Sequence, residues 1–311
     1  MSFKLTNFTY PSSDGIHNIC AHVYEPTMRD LRGVIQICHG MVDHVERYRA
    51  LAEHFCSLGY VVAGNDHLGH GGSVSRPEDF GHFSDKGGLN FVISDIHLMN
   101  RQLRVRYRGL PIILLGHSMG SFLARLYAIS YPHSIRGLII HGTSGPNPLV
   151  NFGKLLAGVN RLFYGARHRS QFIKKLAFSG YNSRFPKEEG EDAWLTREGS
   201  LVSDRHGDPR TEFTFTVTAY RELFRMLSES NSREWYKKFP KAMPTLVISG
   251  DEDPVGNYGK GPMTVYKKLL ISGASSVELK LYGGARHELF NETNRQEVFA
   301  DLVNWLGGIC K

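Results

Sequence analysis

Short apolar runs alternate with segments of helical spacing along most of the chain. The apolar runs are followed by residues whose apolar side chains recur at intervals of three and four. Such runs predict strands at 34–38, 60–63, 112–115, 137–140, 245–249 and 277–282, and polar turns flank two earlier strands at 4–10 and 17–24. Buried strands that alternate with helices are typical of a parallel sheet covered on both faces. The sequence therefore predicts an α/β fold with a mostly parallel sheet of eight strands.

The alternation stops between residues 144 and 239. This segment has no strand pattern and opens with Pro146 and Pro148. Its apolar residues recur at helical spacing, beginning with Phe152, Leu155, Leu156, Val159 and Phe163. We therefore expect a core formed by residues 1–143 and 240–311, with residues 144–239 inserted after the sixth strand as a helical cap. The first four of those apolar side chains are expected to face a pocket or the core.

Positive charge is concentrated in the first half of the predicted cap. The chain carries a formal charge of +7, and residues 144–187 contain eight Lys or Arg and no Asp or Glu. No zinc-finger spacing, RNP signature or basic helix with heptads accompanies this charge, so we do not expect nucleic-acid binding. The basic stretch predicts either contact with an anionic membrane surface or a solvated helix face, with Lys154 and Arg161 outward.

Composition places the chain among ordinary globular proteins. It has 311 residues, 41% hydrophobic and 22% charged, which fits one large domain or a domain with an inserted subdomain. No apolar run approaches the length of a membrane span, and we expect no signal peptide at the N-terminus. The cysteines form no C-x-x-C pair and predict reduced thiols in a cytoplasmic protein: Cys20, Cys38, Cys56 and Cys310.

A serine lies between two glycines where the strand at 112–115 gives way to a helix. Gly116 and Gly120 flank Ser118 at a spacing that a tight strand–turn–helix junction requires. The N-terminus of the following helix favours negative charge beside the serine hydroxyl. This context predicts Ser118 as a nucleophile, with the backbone N–H groups of Met119 and Met41 as donors to an oxyanion.

A serine nucleophile requires a base and an acid that orients the base. In this topology both follow later strands, the acid before the histidine. The loop after the strand at 277–282 supplies His287, and the loop after the strand at 245–249 supplies three possible acids: Asp251, Glu252 and Asp253. Asp251 is placed to cap the turn, whereas Asp253 has the better reach towards His287.

Other motifs give weaker predictions. Five further histidines near the same sheet edge precede the nucleophile and are less favoured as the base: His44, His67, His70, His82 and His117. His67 and His70 lack paired Cys or carboxylate ligands, so we predict no metal site. The glycine-rich turn at 69–73 lacks the Lys-Ser/Thr of a phosphate loop, so we predict no cofactor either.

Five segments together resemble the monoacylglycerol lipase and lysophospholipase branch of the α/β-hydrolases, whose members are often labelled serine aminopeptidase-like. These segments are 39–44, 66–73, 116–120, 249–255 and 284–292. The resemblance covers nearly the whole chain and implies Ser118, Asp253 and His287 as a triad, Met41 and Met119 as oxyanion donors, and a cap after the sixth strand. The chain departs from the family pattern in having Met41 after His-Gly and Leu68 where Arg is usual, and its cap is the least similar part.

The favoured function is hydrolysis of carboxylic esters by this triad. The resemblance implies a monoacylglycerol or lysophospholipid as the substrate, with peripheral membrane contact through the basic cap. One alternative is an aminopeptidase, in which a carboxylate from residues 188–192 would grip the substrate's amino group. A second alternative is a ligand-binding protein without turnover, which would have no need of a complete triad. No oligomeric state is predicted.

Overall fold

A single eight-stranded sheet forms the centre of the molecule. The computed structural model describes residues 3–310, apart from the side chain of Asp204. The strands are β1 (Phe3–Pro11), β2 (Asn18–Pro26), β3 (Gly33–Cys38), β4 (Tyr60–Asn65), β5 (Ile112–His117), β6 (Gly137–His141), β7 (Thr245–Gly250) and β8 (Val277–Tyr282). Their order is β1-β2-β4-β3-β5-β6-β7-β8, with β1 and β2 antiparallel to their neighbours and the other pairs parallel. The predicted eight-stranded, mostly parallel sheet is confirmed.

Helices cover both faces of this sheet. The core helices are α1 (Arg49–Ser57), α2 (Gly88–Arg106) and α3 (Met119–Ser130), followed late in the chain by two more. Between β6 and β7 lie α4 (Val150–Tyr164), α5 (Gln171–Ala177), α6 (Gly199–His206), α7 (Val217–Ser230) and α8 (Arg233–Lys238), and after β7 come α9 (Lys260–Ile271) and α10 (Arg295–Ile309). Buried residues of α2, α3 and α9 pack on one face, and those of α1 and α10 pack on the other.

The central strands are buried along their whole length. Every residue of β3 to β7 in the sheet is buried, which explains why these strands read as continuous apolar runs rather than alternating ones. Cys38 is paired with Gly116, and His117 with His141. The carboxyl ends of β3, β5 and β6 therefore lie side by side, and the loops that follow them share one edge of the sheet.

The segment between β6 and β7 is helical, but α4 is oriented differently from the prediction. Its buried positions include Gly153 and Ala157, which face α7, and a Cβ at Gly153 would lie 2.9 Å from the ring of Phe224. Leu155 is 65% exposed and Val159 is 44% exposed, so the expectation that they face a pocket or the core is wrong. The physical reason is that small residues allow the close approach of two helices, and the bulky side of α4 is left outward.

The remaining side chains of α4 named in the prediction differ in their surroundings. Phe152 is half-exposed yet lines the main cavity, as expected, while Leu156 packs partly buried against the core. Lys154 was expected to face outward, but its Nζ donates to the hydroxyl of Ser228 at 3.1 Å across the α4–α7 contact.

Among residues 3–310, no helix has both the length and the apolar character needed to cross a membrane.

Candidate active site

Ser118 occupies a strained turn between β5 and α3. Its backbone has φ 55° and ψ −121°, a region that non-glycine residues rarely adopt. A Cβ at Gly116 would lie 2.3 Å from the carbonyl oxygen of Gly120, and a Cβ at Gly120 would lie 2.0 Å from that of Cys38. Any side chain at either position would therefore force the backbone apart. The two glycines predicted from the sequence are required by this packing, and they hold Ser118 at the edge of the sheet.

Asp253 and His287 form a buried pair at the same edge. A hydrogen bond of 2.9 Å joins His287 Nδ1 to Asp253 Oδ2, and the two side chains are 2% and 0% exposed. Asp253 also accepts from the backbone N–H of Val255 at 2.9 Å and the hydroxyl of Ser249 at 3.3 Å. Asp251 instead accepts from the backbone N–H of a turn glycine, at 2.7 Å, and so holds the turn. The carboxylate that contacts His287 is Asp253.

The second ring nitrogen of His287 is not used by the pair with Asp253. Among the described residues, His287 Nε2 has no hydrogen-bond partner, and His287 and Ser118 line one cavity. The same cavity is lined by Met41 and Met119, which follow β3 and β5. Met119 is the first residue of α3, so its backbone N–H has no acceptor within the helix. The geometry brings four of the five residues predicted from the sequence to one cavity wall, and the fifth, Asp253, contacts the ring of His287.

The loop that carries Met41 is fixed by a histidine that the sequence did not single out. His39 Nδ1 lies 2.8 Å from the carbonyl oxygen of Gly40, and His39 Nε2 accepts from the backbone N–H of His67 at 2.9 Å. His39 therefore bridges the loops after β3 and β4. Burial holds the pKa of His39 below its ordinary value, so the ring is neutral and able to donate and accept at once.

The cavity has a volume of about 820 Å³, which is within the range of pockets for sizeable organic ligands. Much of its wall comes from the segment between β6 and β7. Apolar lining side chains from that segment include Phe152, Leu176, Phe178, Leu223, Phe224 and Leu227. An apolar channel of this size beside Ser118 is suited to a long hydrocarbon chain.

Three charged residues, Asp43, Arg205 and Glu288, line the polar side of the cavity. Arg47 contacts Asp43 at 2.9 Å and Glu288 at 2.8 Å, and Arg205 of α6 lies 3.9 Å from Glu288. Burial opposes ionisation of Glu288, but the opposing charge and hydrogen bonds of Arg47 lower its pKa to about 2. Glu288 therefore remains ionised directly beside His287.

Sequence reasoning missed this network. The only local signal was the presence of Asp43 and Glu288 next to the motifs that carry Met41 and His287. Arg47 and Glu288 are 241 positions apart in the chain, and Arg205 belongs to the inserted segment, so the pairing exists only in the folded protein.

The other histidines near this edge have structural surroundings. His117 stacks on His141 with ring centroids 4.4 Å apart, and burial together with that neighbouring ring holds the pKa of His117 well below its ordinary value. His67 and His70 pack against His39, and His82 Nδ1 lies 3.1 Å from the hydroxyl of Thr216. His44 Nε2 lies 3.1 Å from Asp208. None of these rings has the contact with Asp253 that His287 makes.

Among the described residues, one group has the close spacing of metal ligands, and it includes neither His67 nor His70. Ligand atoms of Cys20, His22 and Asp66 lie within 4.8 Å of one another. The Asp66 carboxylate already accepts from the backbone N–H groups of Val45 at 2.9 Å and Gly72 at 2.7 Å. These contacts fit a hydrogen-bonded link between β2 and the turn after β4.

The sheet order, the strained serine turn and the buried His–Asp pair together define an α/β-hydrolase. Comparison with known proteins gives the family more closely. The chain belongs to the family described as serine aminopeptidase, S33, whose profile matches residues 29–294.

Relatives and a solved structure agree with this assignment. The chain is 32% identical to the monoglyceride lipase of Homo sapiens over 309 residues, covering 95% of this chain and 88% of that protein. It is 27% identical to the monoacylglycerol lipase of Mycolicibacterium smegmatis over 282 residues, covering 89% of each. A thermostable carboxyl esterase from Bacillus coagulans, solved in complex with glycerol, superposes with a TM-score of 0.92 at 30% identity and 99% coverage of both chains. The protein is a carboxylic-ester hydrolase.

Proposed function

We propose that this hydrolase cleaves monoacylglycerols, with Ser118 as the nucleophile, His287 as the general base and Asp253 as the residue that orients the base. The observation that carries the proposal is the buried 2.9 Å contact between Asp253 and His287, together with the cavity that both His287 and Ser118 line. The roles follow from the atoms available: His287 Nδ1 is engaged by the carboxylate, and Nε2 is free to take a proton.

The reaction proceeds in two halves. The Ser118 hydroxyl attacks the acyl carbonyl and gives its proton to His287 Nε2, while the backbone N–H groups of Met41 and Met119 stabilise the oxyanion. His287 then protonates the leaving glycerol oxygen, and an acyl-serine remains. Water, deprotonated by His287, attacks this ester, and His287 returns the proton to the Ser118 oxygen as the fatty acid leaves. Asp253 stabilises the imidazolium that forms in each half.

The lining of the cavity supports the proposal that the leaving group is uncharged and hydroxylated. Its apolar walls suit an acyl chain, and its polar side carries Asp43, Glu288 and Arg205, which ion pairs connect through Arg47. Because these charges neutralise one another, they can form hydrogen bonds with hydroxyl groups but leave no net positive charge to balance a phosphate. The monoglyceride lipases among the relatives support the same substrate class.

An aminopeptidase activity is less well supported. It would need an unpaired carboxylate to grip a substrate ammonium group, and residues 188–192 were the expected source. Trp194 and Leu195 line the cavity, but none of residues 188–192 does. Glu189 is paired with Arg286, and Asp192 lies 3.6 Å from Arg205.

The test is a substrate comparison with the nucleophile removed. The wild-type protein is assayed on monoacylglycerols of increasing chain length and on an aminoacyl amide. Ser118→Ala should fold normally and lose at least ~10³-fold in kcat on monoacylglycerol, because the oxyanion donors remain while the nucleophile is gone. A fluorophosphonate probe should label the wild type and not this variant. Wild-type turnover by Ser118→Ala would refute the mechanism, and faster cleavage of the amide would refute the substrate class.

We also propose that the α4–α5 surface meets the membrane in which the substrate resides. Bulky apolar side chains there are largely exposed: Leu155, Leu162, Phe163, Tyr164 and Phe172. The basic residues Lys174 and Lys175 of α5 lie exposed on the same segment. An apolar face with flanking positive charge is typical of peripheral binding to anionic lipid.

Vesicle binding tests this surface separately from catalysis. Binding to anionic vesicles should weaken as salt is raised, since screening shortens the reach of the charges. Lys174→Gln combined with Lys175→Gln should weaken that binding and spare hydrolysis of a soluble short-chain ester, and Phe163→Ser should weaken it at every salt concentration. An exposed arginine on α2, replaced as Arg101→Gln, is the matched control. Absence of vesicle binding at low salt would refute the membrane proposal and leave the ester hydrolase proposal intact.

A further inference from the structure

The loop that carries His287 is bonded directly to the inserted segment. The backbone N–H groups of His287 and Glu288 donate to the carbonyl oxygens of Trp194 at 3.4 Å and Leu195 at 2.7 Å. On one side of this contact, the Arg286 guanidinium donates to the carbonyl oxygen of Ala193 at 2.7 Å. Residues 194–195 and 287–288 are thus joined backbone to backbone, and the side chain of Arg286 extends the contact to Ala193.

The contact continues for several residues. Thr196 Oγ1 donates to the carbonyl oxygen of Asn291 at 2.9 Å, and Arg197 Nε donates to the buried carboxylate of Glu292 at 2.8 Å. The same carboxylate accepts from the backbone N–H of Arg286 at 2.9 Å. The inserted segment at 193–197 therefore acts as a splint along the loop of His287, and it is fixed by an ion pair at its far end.

An aromatic ring from this splint lies against His287 itself. The indole of Trp194 is 5.1 Å from the imidazole of His287, centroid to centroid, with 40° between the ring planes. The ring of Tyr181 also packs against Trp194, with centroids 5.1 Å apart, and that of Phe178 is 6.1 Å from it. All three aromatic residues line the cavity beside Ser118. The imidazole is therefore bounded by an aromatic wall that the core does not provide.

We infer that Trp194 is a positioning residue for His287: it holds the imidazole, through ring contact and through the splint at 193–197, in the orientation that the proposed triad needs. The inference rests on the proposed roles of Ser118 and His287. Proton transfer from a serine hydroxyl is sensitive to the position of the base, and displacements of about an ångström cost large factors in rate. The indole also keeps water away from one side of the imidazole.

Several other groups also face His287, and a substitution of Trp194 does not alter their chemical identity. Asp253 contacts Nδ1, the ring of His117 lies 4.9 Å away, and His141 Nε2 lies 3.1 Å from the backbone carbonyl of His287. Glu288 adjoins it in sequence and is held by Arg47. A change in turnover on replacing Trp194 is therefore attributable to the aromatic wall rather than to a new charge.

The test compares Trp194→Ala, Trp194→Phe and a matched control on p-nitrophenyl butyrate, a short soluble ester. Trp194→Ala should lower kcat ~10-fold with little change in KM, whereas Trp194→Phe, which keeps an aromatic face, should stay near wild type. The control is Tyr131→Ala, because Tyr131 stacks on His97 at 3.7 Å at the far end of α3, away from the cavity. That control should leave kcat unchanged. The low-field proton resonance of the His287–Asp253 hydrogen bond should weaken in Trp194→Ala only.

The outcomes separate this inference from the proposed function. If Ser118→Ala is inactive and Trp194→Ala turns over like wild type, only the inference is wrong. If Ser118→Ala is active, the proposed function itself fails. Should Trp194→Ala not fold, Trp194→Leu keeps the bulk without the ring: reduced kcat supports the inference, and unchanged kcat overturns it.

Discussion

Arg125 is a buried cation that connects the helix after Ser118 to the beginning and to a later part of the segment between β6 and β7. It lies on α3 and is 0% exposed. Its guanidinium donates to the carbonyl oxygens of Ser230, at the end of α7, and Ser144, where the inserted segment begins. It also stacks over the ring of Trp235 at 4.6 Å. Among the described residues no carboxylate pairs with it, and burial lowers its pKa to about 10. We predict that Arg125→Met destabilises the fold.

The size of the effect follows from what the substitution leaves behind. The Ser144 carbonyl keeps another donor, Asn231 Nδ2 at 3.3 Å, but the buried Ser230 carbonyl loses its strong partner. A stranded buried acceptor costs ~1–3 kcal/mol, and loss of the contact with Trp235 costs ~1–2 kcal/mol more. Removing a buried charge returns part of this. We expect a net loss of ~2–4 kcal/mol in the free energy of unfolding, or roughly 3–6 °C in Tm for a chain of 311 residues.

Thermal unfolding followed by tryptophan fluorescence measures this loss directly. Arg101→Met, an exposed arginine of α2, is the control and should change Tm by no more than about 1 °C, as surface substitutions usually do. Arg125→Lys keeps the charge but not the fork of donors, so it should fall between the two. An Arg125→Met protein as stable as wild type would refute the reasoning, because it would mean that these contacts contribute nothing net to the fold.

Two further predictions concern carboxylates. Asp253→Asn should lower kcat on a soluble ester by about 10⁴-fold, because the amide no longer orients the base, while Asp251→Asn should cost far less; steady-state kinetics of the two proteins would contradict the assignment if the ranking were reversed. Burial opposes protonation of His22, but its contact with Asp66 raises the pKa to about 10. That stabilisation is present below about pH 6.5 and is lost as the pH rises towards 10, with a slope of at most ~1.4 kcal/mol per pH unit. Urea unfolding between pH 7 and 10 should show this slope in the wild type and not in His22→Gln, and equal slopes would contradict it.

The sequence alone predicted the sheet and named the five residues that are proposed for catalysis. Strands buried on both faces leave uninterrupted apolar runs, and the turn at Ser118 admits only glycine at positions 116 and 120, so both features are local. The choice of Asp253 over Asp251 followed from reach along one loop. Each of these features depends on residues that are neighbours in the chain.

The features that were missed depend on residues far apart in the chain. Arg47 and Glu288 are each unremarkable in sequence, and only folding places them 2.8 Å apart. The orientation of α4 was mispredicted for a related reason. Helical spacing shows that a helix has an apolar side, but the side that packs is the one whose shape fits a neighbour, and here Gly153 fits Phe224.

The contacts of Arg125 and of residues 193–197 bear on how the inserted segment can move. Arg125 fixes the beginning of the segment at Ser144 and its later part at Ser230, and the splint fixes residues 193–197 to the loop of His287. These anchored parts contact the residues proposed for catalysis or the helix that follows Ser118. The helices α4 and α5 lie between the anchors and carry the exposed apolar side chains. Substitutions on that outer face should therefore affect vesicle binding, whereas substitutions at the anchors should affect kcat or Tm, because the anchors contact the loop of His287 or the helix that follows Ser118.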